Sequence, residues 1–290
     1  MTNILKLIGA AYGMGAGHFG CHEGPLVIYD DPKLFKGASI QLDWVAMIEP
    51  KERKQKLEGL PFIADCCERI AAQTNTLVKQ KQRFATIGGD HSCAIGTWSG
   101  VAHALRDQGD LGLLWIDAHM DSHTTETSDS GNVHGMPVAA LLGYGDAQLI
   151  HILDEQPKLK PENICLIGIR CFEAAEKNLL DRLGVRIYYA EEVQARGIAS
   201  VLQEALAQVS RNTAGIGISV DLDGLDPEHA PAVGTPVENG ICGEAFLEIL
   251  PEVRKHPKFL GFEIAEFNPR LDINERTKQM VQSIVTTLAV

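Results

Sequence analysis

The sequence predicts an α/β protein whose mainly parallel, doubly wound sheet is covered by helices on both faces. Three observations carry that expectation. Apolar runs of strand length alternate with stretches of helical periodicity along the chain. Several of those runs are uninterrupted by polar residues, as strands buried on both faces are. No internal repeat or dividing linker breaks the pattern, so residues 1–290 read as a single domain.

The first strand, Ile4 to Ile8, runs into the glycine-rich loop Gly13 to Pro25 (GMGAGHFGCHEGP). That loop fits neither the dinucleotide fingerprint nor the P-loop, and its glycines read as tight turns. His18 and His22 within it have no acidic partner at ligand spacing and read as loop structure. Lys51 to Glu58 is a mixed charge run, a solvated linker or helix face. Ile63, Cys66, Cys67, Ile70, Leu77 and Val78 recur at helical spacing. Phe84 to Ile87 reads as a strand stopped by Gly88-Gly89, with a helix from about Ala94 to Leu105. Leu111 to Ile116 is the next strand, and a long loop separates it from a helix at Met136 to Leu142.

Ile164 to Ile169 is strand-like, Phe172 to Leu183 helix-like with an acidic first turn, and Val185 to Tyr189 a short strand. Glu191 to Val209 reads as one helix with Gly197 as an interior weakness. Gly215 to Val220 is a buried strand, followed by a helix at Glu244 to Lys255. A strand at Phe259 to Ile264 and a helix at Asn274 to Leu288 close the chain.

Composition narrows the function. The chain is 45% hydrophobic and carries a formal charge of -12, which disfavours nucleic acid and anionic membrane as partners. The same charge is compatible with metal cations and a cationic substrate. Seven cysteines, an odd number with an adjacent pair at 66 and 67 and no CxxC spacing, point to reduced thiols in a cytoplasm. The N-terminus lacks the basic start and long apolar centre of a signal peptide, and no run has transmembrane length. A soluble, cytoplasmic protein is expected.

The chemistry concentrates where strands end. Asp117, His119 and Asp121 stand at alternate positions just past Leu111–Ile116, in DAHMDSHTTETSDSGNVH. Two carboxylates and an imidazole so close together repel one another, and a divalent cation relieves that repulsion. The strand before them ends in GGDHS with His91, and a later one in DLDGLDP with Asp221 and Asp223. In an open parallel sheet, functional groups collect beyond the carboxyl ends of strands, so these distant ligands are expected to converge. Six ligands with four aspartates suit two divalent ions sharing carboxylates. Oxygen-rich ligation with one imidazole per ion suits Mn²⁺, with zinc, nickel, cobalt or iron as alternatives. His103, His151 and His229 lack such company and read as ordinary histidines, and Asp226-Pro227 as a turn cap.

GGDHS at 88–92, DAHMD at 117–121, SGNVHG at 130–135, SVDLDGLDP at 219–227 and EFNP at 266–269 together resemble the ureohydrolases, arginases most closely. Their order and spacing agree from Gly20 to the last helix. The resemblance implies a three-layer αβα fold, a binuclear manganese site and a trimeric or hexameric homo-oligomer. It also implies hydrolysis of a small cationic guanidino substrate, L-arginine giving L-ornithine and urea. By position, one metal falls to His91, Asp117, Asp121 and Asp221, and the other to His119, Asp117, Asp221 and Asp223. The catalytic residues implied are Asp121 as proton acceptor, His134 as proton shuttle tuned near neutrality, and Glu266 pairing with the guanidinium. Thr235 is implied to contribute a weaker contact from the substrate side, and Glu263 to support the site from behind.

At the far end of the pocket, Ser130 and Asn132 match the family's loop for the substrate's α-carboxylate. His123 stands where an asparagine is usual, and Glu173 where an aspartate is usual. These departures bear on which guanidine is cleaved, leaving an agmatine, guanidino-acid or formimino hydrolase as the alternative. A non-catalytic metal-binding homologue is the reading from a different class, opposed by the presence of all six ligands with His134 and Glu266.

Overall fold

In the computed structural model, which describes residues 3–289, eight strands form one parallel sheet. They are β1 (Asn3–Ala10), β2 (Ile40–Ile48), β3 (Phe84–Gly88), β4 (Asp110–Ile116), β5 (Ile164–Ile169), β6 (Arg186–Tyr189), β7 (Thr213–Asp221) and β8 (Phe259–Ala265). Their order across the sheet is β2-β1-β3-β8-β7-β4-β5-β6. Ten α-helices accompany them among the described residues. These are α1 (Gly24–Tyr29), α2 (Leu60–Lys79), α3 (Cys93–Leu105), α4 (Pro137–Leu141), α5 (Ala147–Ile150), α6 (Ala174–Leu183), α7 (Ala190–Arg196), α8 (Ile198–Ser210), α9 (Gly243–Lys255) and α10 (Arg276–Ala289).

Alternation along the strands sorts side chains into two cores, one on each face. Leu111, Leu113 and Trp115 of β4 enter the core made with α2 to α6. Leu114 and Ile116 enter the other, with α1 and α7 to α10. The three layers follow directly. On β7, Ile216, Ile218 and Val220 fill the second core, while glycines occupy the opposite face. A β-carbon on Gly217 would sit 2.1 Å from the Trp98 ring, so a side chain there would expel the indole. Trp98 is fully buried, and its truncation to alanine would cost about 3–5 kcal/mol.

Several expectations change. β2 was not anticipated; it is an edge strand, hydrogen-bonded only to β1, and Gln41 and Asp43 interrupt its apolar pattern. The expected single helix over 191–209 is two, because Gly197 breaks it with φ of 78°. α6 starts at Ala174, leaving Phe172 and Glu173 outside the helix. The charge run 51–58 is mostly irregular and ends in a short 3-10 turn from Lys56. No helix among the described residues is long and apolar enough to cross a membrane.

Strand order is what builds the site. β3, β8, β7 and β4 are consecutive in the sheet, and register sets their carboxyl ends level. Ile87 pairs with Ile264, Val220 with Ile264, and Ile116 with Val220. Four loops far apart in sequence therefore leave from one edge.

Candidate active site

All six expected metal-type ligands meet at that edge. His91 Nδ1 lies 3.2 Å from Asp117 Oδ2 and 3.0 Å from both Asp121 Oδ2 and Asp221 Oδ2. His119 Nδ1 lies 3.1 Å from Asp223 Oδ2 and 3.6 Å from Asp117 Oδ1. Asp117 thus offers one oxygen to each group, the geometry of a bridging carboxylate. Asp221 gives Oδ2 to the first group, while its Oδ1 accepts the Asp223 N–H at 2.9 Å.

These close approaches are not satisfied hydrogen bonds. His91 Nδ1 and Asp121 Oδ2 are buried without a hydrogen-bond partner although they lie side by side. Lone pairs that point past one another toward a common centre are a ligand set, and orphaned polar atoms this deep are otherwise costly. Burial, and then the Asp117 charge, push the Asp121 carboxyl up to about 7. The donor set fits divalent cations.

Further groups hold the ligands from behind. The Trp115 indole N–H donates to Asp117 Oδ2 at 2.9 Å, and its ring stacks on His91 with centroids 4.3 Å apart. His91 Nε2 lies 2.9 Å from the Ser219 hydroxyl. Glu263, fully buried, accepts from Ser219, Trp98 and Cys93, which places it behind His91 as expected. Thr235 lines the cavity, and its hydroxyl also donates to Asp223 Oδ2 at 3.0 Å.

His134 and Glu266 form the second element of the site. His134 Nδ1 is 2.9 Å from Glu266 Oε1, which also accepts the His91 N–H at 2.9 Å. Burial, which lowers the imidazole, is outweighed by Glu266, and His134 rises to about 9 rather than lying near neutrality. Glu266 is expected on the guanidinium, but its Oε1 belongs to His134; Oε2 carries neither of these bonds. The glycine-rich loop contributes here: the Gly15 carbonyl accepts the His134 N–H, and the Gly15 N–H donates to Asp90. Asp121 and Glu266 both have positive φ, 48° and 68°. For such residues that costs about 1–3 kcal/mol each and is typical of functional positions.

Above the ligands opens a cavity of about 260 Å³. His123, Ser130, Asn132 and Glu173 line it, and among the described residues the lining includes no lysine or arginine. Cys171, Phe172 and Glu176 also line it and were not anticipated. Glu176 accepts the N–H groups of Ser122 and Glu173, tying the loop after Asp121 to the start of α6. Its only trace in sequence is an acid three residues after Glu173, the spacing of a helix capping pair. His123 Nε2 lies 3.5 Å from Glu173 and 3.4 Å from Glu176.

The remaining histidines divide. His22 approaches Glu23 at 3.8 Å and His103 pairs with Asp154 at 2.8 Å, both away from the cavity. His229, expected to lack ligating company, has Glu244 at 3.1 Å and Cys242 nearby. Asp226 caps its turn as expected, accepting the N–H groups of Glu228 and Gly240.

Comparison with known proteins agrees with this geometry. The chain matches the Arginase family over residues 4–290. It is 40% identical over 237 residues to arginase of Bacillus caldovelox, covering 80% of this chain and 77% of that one. Over 303 residues it is 33% identical to arginase of Brevibacillus brevis, covering 99% and 98%. The native crystal structure of the Bacillus caldovelox arginase superposes with a TM-score of 0.91 at 33% identity, covering 99% and 98%.

Proposed function

The chain belongs to the arginase family, and on that premise we propose that it hydrolyses the guanidinium group of L-arginine to L-ornithine and urea. One observation carries the proposal: two ligand clusters sharing Asp117 present His119, Asp121, Asp221 and Asp223 to a cavity whose lining, among the described residues, holds no Lys or Arg. Such a site offers carboxylates to a guanidinium and places no lysine or arginine beside it.

The cations proposed are two Mn²⁺ ions, in keeping with N and O donors. His91, Asp117, Asp121 and Asp221 would hold one, and His119, Asp117, Asp221 and Asp223 the other. When bound, such a pair supplies Lewis acidity that makes water acidic enough to serve as nucleophile near neutral pH.

The residues of this chain manage the protons. Asp121 accepts the proton remaining on the attacking water. The leaving amine departs only if protonated, and His134, kept as imidazolium by Glu266, donates that proton. Glu266 occupies Nδ1, so Nε2 is the transferring atom. Glu266 Oε2 is the oxygen left for a substrate N–H. His134 and Gly135, with Cys171, Phe172, Glu173 and Glu176, wall the cavity and limit water around the reacting carbon.

At the far end, Glu173 would receive the α-ammonium, and Ser130, Asn132 and His123 the α-carboxylate. The engagement of His123 with two glutamates favours a second reading, in which a guanidine lacking that carboxylate, such as agmatine, is preferred. Urea release by Mn²⁺-loaded protein from arginine and agmatine separates them. Higher kcat/KM for arginine is expected, and equal or reversed preference overturns the arginine assignment. The proposal extends to a single domain, a homo-oligomer and a cytoplasmic location, the last resting on seven unpaired cysteines.

A further inference from the structure

We propose that His229, Cys242 and Glu244 form an additional cation site, separate from the cavity and suited to a thiophilic ion such as Zn²⁺. Glu244 Oε2 lies 3.1 Å from His229 Nδ1 and 3.2 Å from Cys242 Sγ, and the three donor atoms lie within 4.8 Å of one another. Bonds of about 2.0–2.3 Å at tetrahedral angles put neighbouring donors about 3.3–3.7 Å apart, so small rotations complete the set. A fourth position opens to solvent on the side of Glu244, whose side chain is 72% exposed.

The donors come from two segments that the backbone locks together. Asp226 N–H donates to the Ile241 carbonyl, Ile241 N–H to the Gly224 carbonyl, and Asp226 Oδ2 accepts the Gly240 N–H. His229 N–H donates to the Asp226 carbonyl, while Cys242 immediately precedes α9. A β-carbon on Gly243 would lie 2.9 Å from His229 Cβ, so the bare glycine lets the imidazole sit against the helix start. The imidazole is mostly buried, while the exposed carboxylate has room to turn.

Donor chemistry distinguishes this site from the buried cluster. A thiolate, an imidazole and a carboxylate select zinc or cobalt, whereas the strand-end ligands are oxygen and nitrogen only. A cation here would clip the loop after Asp223 to α9. The expected action is structural.

The test is metal content of the full-length protein under reducing conditions, dialysed against Zn²⁺. Wild-type protein is expected to hold one more zinc per chain than Cys242→Ser or His229→Asn. Retention of that additional zinc by either variant overturns the proposal, as does equal content in all three proteins. Cobalt loading supplies an independent readout, since a thiolate ligand gives a charge-transfer band. Cys171, the other exposed thiol, lines the cavity, so Cys171→Ser is the control. The band is expected to persist in Cys171→Ser and vanish in Cys242→Ser; the reverse pattern assigns the thiolate to the cavity and overturns the site.

Discussion

The strand-end cluster and the trio at the start of α9 both gather metal-type donors, and they differ in donor set and in how the donors are held. Around His91 and Asp117 all the ligands but the half-buried His119 are buried, and Trp115, Ser219 and Glu263 fix the donors from behind. Around Cys242 the carboxylate stands in water, and the trio is positioned by backbone hydrogen bonds and the Asp226 carboxylate. Burial makes like charges intolerable without a cation, so the first cluster demands its ions. Solvent screens the second, which accepts an ion without requiring one. The difference teaches that ligand identity selects the metal while the surroundings decide how tightly it is kept.

The largest test of that contrast is Asp117→Ala. Asp117 serves both groups, so its loss is expected to release metal from both and lower urea release by about 10³-fold, the several kcal/mol a Lewis acid contributes. Elemental analysis with a urea assay checks this; retained metal contradicts a bridging role. His134→Asn is expected to keep the metal content yet lower kcat by about 10²-fold, as loss of a general acid does. Undiminished kcat removes the shuttle role.

Trp115→Phe keeps the ring but deletes the N–H on Asp117. It is expected to weaken metal binding by about 10-fold or more, the usual cost of removing a hydrogen bond that orients a ligand. Competitive titration with a chelator measures it, and an unchanged affinity would put the strand-end cluster on the same footing as the trio. The smallest effect concerns pH. His134 acts as imidazolium, so activity falls as pH rises through its value of about 9. Glu266→Gln removes the charge that keeps the proton there, and the alkaline limb is expected to move down by roughly one to three pH units. A pH–kcat profile decides it; an unmoved limb means that another group sets that limb.

Legibility tracked physics in each case. Strands buried on both faces are unbroken apolar runs, so β4, β5 and β7 stand out. β2 does not, because one of its edges faces solvent and its pattern admits Gln41 and Asp43. The ligands were readable because chemistry clusters after strand ends, where side chains leave the ladder. Glu176 and the Cys242 trio were not, because each acquires its role from partners that no local spacing announces. The same holds for the pairing of His134 with Glu266, which spans 132 residues and moved the imidazole away from neutrality.

Residue order alone determined the alternating α/β pattern, the six ligands and the oxygen-rich character that suits two divalent ions. Those features depend on local composition and on the few residues just past each strand. Strand order across the sheet was decided only in three dimensions, and with it the adjacency of β3, β8, β7 and β4 that brings the ligands within bonding reach. Proton affinities and the company of His229 were decided there too, because burial and neighbouring charge are properties of the packed chain.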